Sequence, residues 1–221
     1  MGREQPSGIV ALRSMLILRA ENLEQAKQTM KMKPSFVSLS RQQFRRYFQP
    51  SRILLGVLPR ESGVNIITLC FSMYCSYKPP MLAVAIQNVN ASYDLIQRAS
   101  EYVLAVPGPN LVQETLYCGI KSMSQVDKVK RLGIELLPSE HIRVPGLLNA
   151  IANIEMVKEQ HIKTGDHILV VGRALSFRVN PAIHALPLLS VGPDISGYEI
   201  LAQKGIHRIA TVRKQRPAEM Q

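Results

Sequence analysis

Between Arg52 and Val179 the chain repeats one pattern, an aliphatic or alternating run of strand length followed by a turn. The runs "RILLGVLP", "GVNIITLCFSMYC", "MLAVAIQ", "EYVLAVP", "NAIANIEMVKEQHI" and "HILVVGRALSFRV" are punctuated by "RESG", "YKPP", "PGPN" and "KTGD". Short runs of this kind, bounded by Gly, Pro, Asn and Asp, specify strands. Five or more in succession bury their apolar faces only as a barrel or a sandwich. The interposed "SYDLIQRA", "NLVQETLYCG" and "QVDKVKRLG" space their apolar residues three to four apart, which suits short helices packed on the outside of the sheet. The expected fold class is mainly β with peripheral helices.

The flanks read differently. "ENLEQAKQTMKMK", stopped by Pro34, and "SRQQFRRYF" at residues 40–48, with Ser40 and Gln43 spaced as a capping box, predict two short helices. The organisation expected is a basic, partly helical extension at 1–50, a strand-rich body at 51–190 and a C-terminal extension at 191–221. With 221 residues, 46% of them hydrophobic, the chain can bury the core of one domain with appendages.

Composition narrows the function classes. No apolar run approaches the roughly 20 residues of a membrane span. Three cysteines, Cys70, Cys75 and Cys118, are an odd set that argues against a disulfide framework and for a reducing, cytoplasmic setting. Neither the cysteines nor the five histidines have metal-binding spacing, so no metal site is expected. The net charge of +11 belongs to the ends: residues 1–60 hold 11 Lys/Arg against 3 Asp/Glu and residues 203–221 hold 5 against 1, whereas residues 61–202 hold 11 against 12. With 5% aromatic residues and no Trp there is little surface on which bases could stack, which argues against nucleic acid. A basic module for nucleic acid or an acidic protein stays as the rival from the binding class.

The junction "AIQNVNAS" at 85–92 carries the chemistry. An aliphatic strand ends there in Gln87, Asn88, Asn90 and Ser92, just before a helical segment. Asn and Ser at a helix start cap orphan N–H groups. The same donors beside free backbone amides also suit an anion such as phosphate.

In order along the chain, "GVNIITLCFSMYCSYKPPMLAVAIQNVNASYDLIQRASEYVLAVPGPNL", "CGIKSMSQVDKVKRLGI" and "KTGDHILVVGRA" resemble the flavin reductase-like family, closest to its flavoredoxin and ferric reductase-like branch. The resemblance spans about Arg52 to Pro187; the ending "SGYEILAQKGIHRIATV" departs from it, and Val129 stands where the family has Phe. It implies an FMN-binding split β-barrel, a two-fold homodimer with FMN at the interface, and NADH or NADPH as co-substrate. Asn90 and Ser92, with Gln87 and Asn88, then hold the FMN phosphate or ribityl chain. Lys121, Ser122 and Lys128 complete the phosphate cage, with lysine acting as a point charge against a dianion. The run "NIITLCFSMYCS" lies along the flavin and supplies Asn65, Thr68, Cys70, Phe71 and Ser72 as candidates. On an unbroken strand Thr68, Cys70 and Ser72 share one face while Leu69 and Phe71 point the other way. Cys70 and Cys75 read as packing residues, since nothing nearby favours a thiolate. His167, in "GDH", is the candidate contact to nicotinamide.

With no G-x-G-x-x-G loop present, a Rossmann site for NAD is not expected. Nor is a catalytic acid/base set, because the cofactor carries the chemistry. The activity expected is hydride transfer from NAD(P)H to flavin. Its alternative is an FMN electron carrier reduced by another protein, in which the basic ends steer an acidic electron-transfer partner.

Overall fold

The computed structural model describes residues 36–193 and 195–213. The helix expected at 21–33 lies outside them. The chain divides into two compact units, Met1–Arg41 and the larger Gln42–Gln221. A short helix α1 (Arg41–Arg45) and a 3-10 turn at Arg46–Phe48 precede the strands.

Seven strands make the body of the larger unit: β2 (Leu54–Pro59), β3 (Val64–Leu69), β4 (Ser72–Tyr77), β5 (Pro80–Gln87), β6 (Glu101–Val106), β9 (Ala152–Thr164) and β10 (His167–Val179). They form one antiparallel sheet in the order β3-β2-β6-β9-β10-β5-β4. Its two outermost strands, β3 and β4, are consecutive in the chain and joined by only Cys70 and Phe71. Two residues cannot cross an open sheet, so the sheet curls until β3 approaches β5 without pairing to it, and the β4–β5 ladder runs one residue further, the Ala85 N–H donating to the Phe71 carbonyl (3.0 Å). Of the barrel and the sandwich that the strand pattern allowed, this is the barrel, as the family resemblance implied.

"GVNIITLCFSMYC" is therefore not one strand. It breaks at Cys70–Phe71, where the chain passes from one edge to the other, and the face shared by Thr68, Cys70 and Ser72 does not exist. The alternation rule holds only within an unbroken ladder.

Inside the barrel, Leu54, Leu58, Ile67, Leu104, Met156 and Ile168 belong to one buried cluster. The opposite parity of β2, β3 and β6, namely Leu55, Val57, Ile66 and Val103, packs in a second cluster with Leu111 of a 3-10 turn and Cys118 of the helix that follows it. Burial on both faces explains why these strands read as continuous apolar runs. Helix α2 (Ser92–Arg98) follows β5, and its Ile96 packs into the barrel cluster; α3 (Val112–Ile120) and α4 (Lys128–Leu132) pack against β3.

A second sheet has the order β1-β11-β13-β12 and combines β1 (Ser51–Arg52), β11 (Leu189–Ser190), β12 (Tyr198–Lys204) and β13 (His207–Val212). Its cluster of Ile53, Leu188 and Ile209 packs against Val112 and Leu116 of α3. The C-terminal run that departs from the family pattern is this β12–β13 hairpin. A minor pair, β7 (Leu136–Leu137) and β8 (Gly146–Leu147), completes the described strands.

Candidate functional site

Four segments converge on a cavity of about 170 Å³: the end of β3, the junction 89–92, the C-terminal end of α3 with the loop after it, and the start of α4. Among the sequence candidates it is lined by Thr68, Asn90, Ser92, Lys121, Ser122 and Lys128. Among the described residues the lining holds two lysines and no carboxylate.

Lys128 is the decisive group. Asp127 caps α4 by accepting the Lys130 N–H (3.1 Å), and Gly133 ends the helix in the left-handed conformation, so Lys128 is the first helical residue. Its side chain is 4% exposed. The ammonium donates to the Ile66 carbonyl (2.8 Å) and the Cys118 carbonyl (3.1 Å). Because β3 is an edge strand, half of its carbonyls face no neighbour, and Lys128 takes one of them. Two of three N–H donors are thus engaged, and among the described residues no carboxylate pairs with the charge. Burial holds the ammonium below its ordinary pKa, with the Cys118 thiol acting in the opposite sense; burial likewise pushes the Cys118 thiol up to about 11. A buried cation without a counter-charge is costly unless an anion completes it. A lysine in a short charged helix ordinarily lies on a solvated face; here Lys128 is buried instead. Lys121, by contrast, is exposed at the rim.

The junction is wired from within. Residues 87–90 form a turn in which the Asn90 N–H donates to the Gln87 carbonyl (3.1 Å). The N-cap of α2 is Ala91 and no side chain caps the helix, so the capping role expected of Asn and Ser is not used. Ser92, 4% exposed, instead accepts a hydrogen bond from the buried Asn65 amide (2.8 Å). This sets the Ser92 hydroxyl oxygen as acceptor to Asn65 and leaves its proton to donate. Thr68 donates to the Thr115 carbonyl (2.6 Å), which ties β3 to α3, and Ser122 pairs with Ser124 (2.9 Å) in the following loop.

The remaining candidates lie elsewhere. Gln87 is the ladder partner of His167, and the Asn88 N–H donates to the Asp166 carbonyl (2.9 Å). Phe71, 54% exposed, packs its ring against His167 with centroids 5.4 Å apart. Gln87, Asn88, Phe71 and His167 therefore form a second group that continues from the junction. Ser72 stands in β4 opposite Val84, and Cys70 packs toward the Ile53, Leu188 and Ile209 cluster; neither lines the cavity. Sequence reasoning missed the backbone carbonyls of Ile66 and Cys118, which have no signature in residue type. It also missed Asp166, whose signal was its place in the "KTGD" turn next to His167.

A family model described as the flavin reductase like domain matches residues 46–193, well over half of the chain. The chain belongs to the flavin reductase-like family. An uncharacterised protein of Archaeoglobus fulgidus is 33% identical over 129 residues, 58% of this chain and 72% of that protein. Among solved structures, flavoredoxin from Methanosarcina acetivorans superposes with a TM-score of 0.68 at 18% identity, covering 85% of this chain and 96% of its own. An FMN-binding protein from Thermus thermophilus gives 0.66 at 20%, covering 84% and 100%. An NADH:FAD oxidoreductase of Streptomyces globisporus gives 0.61 at 16%, covering 71% and 93%. At these identities the structures establish the barrel fold. Family membership supports a flavin-related redox function with a flavin cofactor.

The cavity fits the charged end of such a cofactor. It offers hydroxyl, amide and ammonium donors without a competing carboxylate, in a space suited to a phosphoryl group and the adjoining polyol carbons.

Proposed function

We propose that this protein binds FMN and acts as an NAD(P)H-dependent flavin oxidoreductase. The observation that carries the reading is the buried, uncompensated Lys128 ammonium in a carboxylate-free cavity. In this reading Lys128, Lys121 and Ser122 hold the phosphate, Asn90 and Ser92 the phosphate or ribityl oxygens, and Thr68 the wall between β3 and α3. The bound flavin supplies the redox chemistry, accepting a hydride from nicotinamide and passing electrons onward. The chain's part is to neutralise the phosphate, keep the site apolar around the ring and position the nicotinamide. Phe71 and His167 adjoin the same junction and supply the nicotinamide side.

The reading includes a homodimer in the cytoplasm with the flavin between two copies. The exposure of Phe71, Met73, Tyr74 and Val89 around the junction supports an apolar partner surface there. The likeness to flavoredoxin supports a second reading, an FMN carrier reduced by a protein donor.

Visible spectra of the purified protein with FMN, recorded anaerobically before and after NADH or NADPH, separate the two. Bleaching of the flavin absorbance by either nucleotide is expected. FMN that is held but reduced only by a protein donor selects the carrier, and failure to hold FMN overturns both.

A further inference from the structure

The turn joining β9 to β10 has two residues, Gly165 and Asp166, between the paired Thr164 and His167. Gly165 has φ +54°, the left-handed conformation that a two-residue hairpin turn requires. This turn sets Asp166 beside His167, and Asp166 Oδ1 lies 2.6 Å from His167 Nδ1. The position is held from two sides: the Asn88 N–H donates to the Asp166 carbonyl, and the His167 ring packs on Phe71. An ionised carboxylate only accepts hydrogen bonds, so the Nδ1 of a neutral imidazole in this pair must carry the proton. Its Nε2 is then an acceptor, and among the described residues it has no protein partner. The His167 side chain keeps 21% exposure, enough to be reached from outside. Gln87, the ladder partner of His167, accepts from the backbone of cavity-lining Asn90, so the pair borders the site.

We propose that Asp166 is a positioning residue: it fixes His167 in the Nδ1–H form against Phe71, so that Nε2 accepts a hydrogen bond from the carboxamide N–H of a nicotinamide nucleotide. The inference rests on the NAD(P)H-dependent reading for its ligand, and on the turn geometry alone for the tautomer. A free imidazole in water favours the opposite tautomer, with the proton on Nε2. Without Asp166 the ring turns a donor toward the carboxamide N–H, and that contact becomes repulsive.

The test uses the full-length protein loaded with FMN, at about pH 8, where imidazole is ordinarily neutral. In ¹⁵N-histidine NMR the wild-type His167 shows a protonated Nδ1, Asp166→Ala moves the proton to Nε2, and Asp166→Asn keeps it on Nδ1 because a carboxamide oxygen also accepts. In steady-state kinetics Asp166→Ala raises KM for NADH about tenfold, the worth of one hydrogen bond, with kcat and FMN affinity little changed. Asp166→Asn restores KM. An unchanged tautomer or an unchanged KM in Asp166→Ala overturns the proposal, as does a parallel loss of FMN affinity, which would mark general damage to the site. A wild-type flavin that no pyridine nucleotide reduces overturns the functional reading and the nicotinamide part with it, while the NMR result still decides the role of Asp166.

Discussion

The barrel interior and the cavity beside Lys128 both bury polar groups, and they treat them differently. Of the buried polar side chains that line the cavity, Ser92 accepts from Asn65 and Lys128 donates to two carbonyls, whereas the Thr115 hydroxyl behind the lining has no partner among the described residues. In the barrel, Tyr102 is 1% exposed and its hydroxyl has no partner among the described residues. It fits only because Gly172 opposite it lacks a Cβ, at a point where the β9–β10 register shifts. Burial raises the Tyr102 pKa far above its ordinary value, with a smaller contribution from Cys75, so the group stays a neutral phenol. The contrast indicates where polarity serves a ligand and where the fold merely tolerates it.

The contrast breaks most easily at Lys128. Lys128→Met should weaken FMN binding about 100-fold, the scale of a charge-assisted hydrogen bond lost from a buried site, as read by flavin fluorescence titration. Its pH dependence carries a sign. Burial lowers the Lys128 pKa in the folded chain, so between that value and the ordinary lysine pKa the unfolded chain binds more protons. Over that interval the stability contribution of Lys128 in the FMN-free protein rises with pH, while FMN affinity falls as the ammonium deprotonates. Raised thiol and phenol pKa values at Cys118 and Tyr102 act the other way on total stability, so the readout is the difference between wild type and Lys128→Met: in urea titrations it should move in favour of the wild type as pH rises through that interval, while the difference in FMN affinity narrows.

Next in size, Ser92→Ala leaves the buried Asn65 amide without its acceptor and should cost about 1–3 kcal/mol of stability in urea unfolding. Adding Asn65→Leu should recover much of that loss, since removing both partners relieves the unmet group. Lys121→Ala should weaken FMN binding only about threefold, and less at high salt, because an exposed charge is screened. Smallest of all, Tyr102→Phe should leave stability unchanged or raise it by up to about 1 kcal/mol, because it removes a hydroxyl that makes no bond. A clear loss of Tm in Tyr102→Phe would mean that the barrel interior also uses its polar group.

The strand runs show how far pattern reading reaches. "HILVVGRALSFRV" appears as β10 with the same bounds, because Gly165 and Asp166 mark its start, its aliphatic first half is largely buried and its second half alternates as a strand does. "GVNIITLCFSMYC" is equally apolar yet divides into β3 and β4, since no local feature of Cys70 or Phe71 announces that the barrel seam passes there. At the site, the cluster at 87–92 is legible because four amide and hydroxyl residues ending an aliphatic strand are unusual. The roles of its members are not: the capping role passes to no side chain, and Ser92 finds Asn65, 27 residues away.

Sequence by itself determined the mainly β body, the helices that cover it, the polar exit from β5 and the family, because each rests on local periodicity, turn chemistry or a run of neighbouring residues. Tertiary structure alone decided which groups meet. The order of strands around the barrel brings the Ile66 carbonyl of one edge to an ammonium 62 residues further on, and packing then removes both from water. A solvated lysine in a short polar helix and a buried one have the same local sequence; only the desolvation imposed by distant segments separates them.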